Sequence, residues 1–166
     1  MRRGYLNPTK KRIIWTTILI ILYILLNNTR THTENPYSPD TIITITFILP
    51  VLAGILFGTR SGIAVGILGP LLNLLTPIGN TTQLWMIIPL TIMGYLASKI
   101  IKKTPSPITS IITIIIGHII LILTASITPL NAPTISGTLY ETFIHIISML
   151  IIIPLYRIGF ETEPWD

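Results

Sequence analysis

Cysteine is absent from the 166 residues. A disulfide framework is therefore excluded, and thiols carry no information on redox compartment. Charge is nearly as scarce. Asp, Glu, Lys and Arg make up 10% of the chain, where a soluble domain carries about a quarter. So little charge does not cover a water-facing surface. No HExxH or GxSxG pattern occurs, and there is no Walker motif or glycine-rich phosphate loop. Nothing here hydrolyses ATP, and the common nucleophile and zinc-hydrolase arrangements are missing. The excess of base over acid, a net charge of +5, is spread between apolar runs instead of forming one face. Nucleic acid is not an expected partner.

What is present is apolar. Half the residues are hydrophobic and the mean hydropathy is +0.74. Six apolar segments cover residues 13–26, 41–57, 61–78, 84–101, 108–128 and 138–156. A spanning helix needs ~20 residues. The first segment reaches that length if Lys10, Lys11 and Arg12 snorkel at its start. The N-terminus, MRRGYLNPTKKRIIWTTILIILYILL, has basic residues before an apolar run and no small-x-small site after it, so it reads as an uncleaved signal anchor. Runs such as TIITITFIL are rich in β-branched residues and would be strands in water. In lipid the backbone must satisfy its own hydrogen bonds, so they are read as helices.

The cations test this division. With six spans and an inner N-terminus, the inner segments hold Arg2, Arg3, Lys10, Lys11, Arg12, Arg60, Lys99, Lys102, Lys103 and Arg157. The outer loops hold only Arg30, ten against one. That bias puts both termini in the cytoplasm. One long buried helix over residues 41–78 would move Lys99, Lys102 and Lys103 outside, so Arg60 marks a cytoplasmic turn supplied by Gly58 to Ser61. The expected fold is all-α: one polytopic membrane domain, residues 1–166, of six transmembrane helices in the cell membrane. Pro50, Pro70, Pro77 and Pro89 fall within or at the ends of spans two to four, as kinks or as openings to a polar cavity.

Gly54, Gly58, Gly62 and Gly66 recur every fourth residue. That spacing stacks small residues on one helix face and lets backbones approach closely in lipid. All four are read as packing residues that weld spans two and three. The run AGILFGTRSGIAVGILGPLLN, with Ala53, the four glycines and Asn73, resembles the second-to-third helix hairpin of the S components of energy-coupling factor (ECF) vitamin and metal transporters. The resemblance implies a six-helix fold with a pocket near the outer surface. It also implies a small water-soluble ligand and partners in the form of a transmembrane coupling subunit and cytoplasmic ATPases. Span one has no alanine, so the family's A-x-x-x-A docking pattern is absent. Glycine-rich hairpins of similar look occur in sensor-type membrane domains.

Ionisable groups inside a membrane are costly and mark functional sites. Glu141 and His145 lie one turn apart on one face of span six, able to share a hydrogen bond or hold a cation together. His118 lies midway along span five, as a pocket residue or a packed one. Asn73, in span three, is read as pocket or as helix–helix glue. Trp85 and Tyr140 flank the outer boundary, as belt or as lining. Asn80 and Gln83 lie beside them. These eight residues all project to the middle or outer half, which outlines an outward site for a small molecule. Loop 27–40, with His32, Glu34 and Tyr37, is placed to cover it. No metal ligand set, no cofactor and no catalytic activity is assigned. The expected function is substrate capture for a transporter, with a structural or sensory membrane protein as the alternative.

Overall fold

A computed structural model describes residues 8–29, 33–43, 45–77, 79, 81–100, 107–128 and 134–159. Six α-helices follow in order: α1 (Pro8–Asn28), α2 (Leu49–Phe57), α3 (Thr59–Asn73), α4 (Thr82–Ile100), α5 (Pro107–Ser126) and α6 (Ile135–Gly159). Between α1 and α2 lie two short antiparallel strands, β1 (Thr33–Asn35) and β2 (Ser38–Ile43), and a 3-10 turn, Ile45–Ile48. The helical reading therefore holds, with one correction. Thr41–Ile43, expected to open span two, belongs to β2 and pairs with β1. A partner strand beside the run takes up its backbone hydrogen bonds, which a helix would otherwise have to satisfy internally.

The helices are turned apolar side out. On α5 the large exposed apolar residues are Ile108, Ile112, Ile115, Ile119 and Leu123, and on α6 Ile135, Leu139, Phe143, Ile147, Leu150 and Ile151. Steps of three and four place each set on one stripe. The opposite faces bury Ser110, His118 and Thr124 on α5, and Thr138, Glu141 and His145 on α6. Polar groups inward and isoleucine outward is the arrangement that lipid requires. By length and composition, α4 and residues Ile135–Ile152 of α6 are long and apolar enough to cross a membrane, among the described residues. Helix α1 runs 21 residues, roughly 32 Å at 1.5 Å per residue, because the basic turn at Lys10–Arg12 extends the apolar core of span one.

Glycine explains the tightest packing. A Cβ on Gly54 or Gly62 would overlap the carbonyl oxygen of Gly94, and one on Gly94 would overlap that of Gly62. Helices α2, α3 and α4 thus meet backbone to backbone at three glycines. Gly66 makes the same kind of approach to Leu90 and Thr91 of α4. Gly58 is different, and its assignment as a packing residue is corrected. It has φ 85° and ψ 177° with open space around its Cα, and it alone separates α2 from α3. This conformation is essentially restricted to glycine. The turn is therefore one residue, not Gly58 to Ser61: Thr59 already begins α3.

Side-chain contacts fix which helix ends lie together. Thr16 donates to Ser61 Oγ at 2.8 Å, and Thr59 and Ser98 hydroxyls lie 2.8 Å apart. The start of α1, the start of α3 and the end of α4 share one end of the bundle, where Arg12, Arg60 and Lys99 also lie. At the other end, Asn28 donates to Asn73 Oδ1 at 2.9 Å and Tyr23 to Gln83 Oε1 at 3.4 Å. The hairpin docks at this second end, on the start of α6. Arg2, Arg3, Arg30, Lys102 and Lys103 lie outside the described residues.

Candidate functional site

The first turn of α6 is built to receive the hairpin. Thr134 caps the helix, its Oγ1 accepting from the Gly137 amide at 3.0 Å, which satisfies one of the free N–H groups of a helix start. The same hydroxyl donates to Tyr37 O at 2.7 Å. Asn35, almost fully buried, donates to Gly137 O at 2.9 Å. The rings of Tyr37 and Tyr140 pack 5.4 Å apart. Asn35 and Tyr37 thus set the segment after α1 on the start of α6. His32 lies outside the described residues, and of Glu34 only the backbone is described.

Below this seat, three ionisable side chains converge. Glu141 and His145 share a face of α6, and His118 reaches them from α5. One ligand-type atom from each lies within 4.8 Å of the others. All three are buried, with Glu141 the least so at 7% exposed against 2% for His118 and 0% for His145. His118 Nδ1 lies 2.9 Å from Ile114 O. A carbonyl can only accept, so Nδ1 carries the proton, and the Nε2 of the neutral ring is a lone pair. His145 Nδ1 lies 3.2 Å from that Nε2 and donates to it. Phe47, from the 3-10 turn, packs on both imidazoles at 4.7 and 5.3 Å. Counting 1.5 Å per residue from the helix ends, the cluster lies roughly 9–15 Å below the hairpin end.

The other expected site residues divide. Asn73 is buried and accepts from Asn28 of α1, a hydrogen bond between two helices. Gln83 accepts from Tyr23 of α1 and is the same kind of contact. Trp85 faces outward on α4, 37% exposed, as a belt residue does. Tyr140 packs on the hairpin through Tyr37. Asn80 lies outside the described residues. Two contributors escaped the sequence reading. Phe47 looks like any apolar residue until α5 and α6 bring the histidines to it. Gly117 lets Met93 of α4 lie where a Cβ would be, drawing α5 inward beside His118.

A family model, 5TM-5TMR_LYT, described as 5TMR of 5TMR-LYT, matches residues 2–156. The chain belongs to this family. It is a multi-pass membrane domain, five-transmembrane and associated with LytS-type sensors. The resemblance to ECF S components is thereby overturned, and so are the coupling subunit and cytoplasmic ATPases it implied. The glycine spacing that carried the resemblance reports a close backbone approach, which hairpins of different families share. No curated protein and no solved structure matches the chain.

Proposed function

We propose that this chain is the sensory input module of a membrane signalling system, without catalytic activity of its own. A small extracytoplasmic ligand is taken at the His118–Glu141–His145 cluster. The partner is a cytoplasmic signalling protein of the LytS histidine-kinase type, in the same or a separate polypeptide. The observation that carries this reading is the family match over residues 2–156. The buried cluster adds to it, since ionisable groups within a membrane are retained for function.

The topology we propose has six crossings with the starts of α1 and α3 and the ends of α4 and α6 on the cytoplasmic side. Arg12, Arg60 and Lys99 share that end, in line with the bias of cations toward the cytoplasm. The family's count is five. Ile45–Phe57, Thr59–Asn73 and Ser110–Ser126 are each below the usual spanning length, and we assign the difference to the α2–α3 hairpin, which has two of them.

The fold supplies a route for the signal. Helices α2, α3 and α4 are locked at their glycines, whereas α6 carries Glu141 and His145 near one end and runs 25 residues to the other. A ligand that draws α5 and α6 together repositions the inner end of α6 against a rigid frame. A ligand can shift the equilibrium only by its differential affinity for the two arrangements. Crosslinking in the native cell, followed by purification of the full chain, tests the reading. Recovery of a histidine kinase or its regulator is expected. Recovery of a coupling subunit with ATPases would overturn it.

A further inference from the structure

The cluster has the geometry of a particular class of ligand. Two nitrogens bound to one tetrahedral ion at ~2.0–2.1 Å stand roughly 3.3 Å apart. His118 Nε2 and His145 Nδ1 stand 3.2 Å apart. We propose that His118, His145 and Glu141 form a binding site for a divalent first-row transition ion of the Zn2+ class, seated beneath the hairpin.

Three further features fit. The Ile114 carbonyl holds His118 Nδ1–H and so aims Nε2 into the cluster, as a backbone acceptor commonly does behind a metal-bound imidazole. Phe47 packs on both rings and keeps them from turning. The donor set is two imidazoles and one carboxylate, which suits zinc, iron, cobalt or nickel. Mg2+ and Ca2+ require several oxygen ligands. The described Lys and Arg side chains lie at the opposite end of the bundle.

Binding has a definite proton consequence. Without the ion, His145 Nδ1–H donates to His118 Nε2. With the ion between them, both nitrogens must present lone pairs. His145 must then change tautomer, its single proton moving from Nδ1 to Nε2, so that the ring stays neutral and the pair releases no net proton. Two neutral imidazoles and one carboxylate leave an excess of one positive charge and one open coordination position. Water or an anionic small molecule fills that position.

That the ion, or a molecule on its open position, is what the module senses rests on the function proposed above; binding of the ion does not. The test uses the full chain, purified without a histidine tag and placed in lipid nanodiscs, and titrated with Co2+. We expect one Co2+ per chain, with the visible absorption of a four-coordinate ion, displaced by Zn2+. His118→Ala and His145→Ala should each abolish the absorption while circular dichroism shows retained helix. Glu141→Gln preserves side-chain shape and should weaken binding by about tenfold or more. Wild-type protein without stoichiometric Co2+, equal affinity in the histidine variants, or unchanged affinity in Glu141→Gln would each overturn the site. Partner capture has no bearing on these outcomes, so the site and the signalling role fail separately.

Discussion

In α1–α4, Asn28 meets Asn73, Tyr23 meets Gln83, Thr16 meets Ser61 and Thr59 meets Ser98. In α5–α6, His118, Glu141 and His145 meet one another against Phe47. Both halves place scarce polar groups in an apolar bundle, yet the chemistry differs. Amides and hydroxyls carry donors and acceptors together, so a pair of them satisfies itself and joins two helices. Imidazoles and a carboxylate in one cluster bring ligand-type atoms within 4.8 Å of one another. They are satisfied by a proton or a cation. A buried polar residue in a membrane bundle is therefore glue or site according to what faces it.

The contrast can be broken most severely in the welded half. Gly94→Leu would drive a side chain into the α3 backbone at Gly62. We expect a loss of about 3 kcal/mol or more, read as loss of a folded species in thermal unfolding of the purified protein. Gly58→Ala, at a strained turn without neighbours, should cost about 1–3 kcal/mol in the same assay. Equal effects from the two would erase the distinction between weld and turn.

A smaller effect sharpens the difference between the halves. Asn73→Ala removes one interhelical hydrogen bond, and Asn28 keeps its bond to Ile24 O at 2.7 Å. Such bonds in membranes are worth roughly 0.6 kcal/mol on average. A loss of about 1 kcal/mol or less is expected, with Co2+ binding unaltered. A fall in Co2+ affinity would tie Asn73 to the site and remove the division drawn here.

Much of this was legible from local pattern. Steps of three and four along α5 and α6 show which face is isoleucine, and Glu141 with His145 is an i, i+4 pair visible on one line of text. The meeting with His118 was not legible, because 27 positions separate it from His145 and only the packing of α5 on α6 closes that gap. Gly94 was missed for a similar reason. It stands alone in TIMGYLASK, and its role depends on two glycines of other helices. Asn73 could be named as polar and inward, but an amide does not announce whether its partner is a ligand or another helix. The hairpin was hidden because Thr41–Ile43 reads the same in lipid as in a strand. The family was misjudged from Gly54, Gly62 and Gly66 because their spacing encodes contact, and contact is shared across functions.

The central claim is that the His118–Glu141–His145 cluster faces the outside and the Gly58 turn, with Arg60 beside it, the cytoplasm. The absence of cysteine allows a direct measurement. Arg60→Cys and Tyr37→Cys place single thiols on exposed residues at opposite ends of the bundle. Labelling uses a membrane-impermeant maleimide on intact cells and on inverted vesicles. The account predicts that Tyr37→Cys reacts in cells and Arg60→Cys only in inverted vesicles. Labelling of both from the same side, or of Arg60→Cys in intact cells, would contradict it.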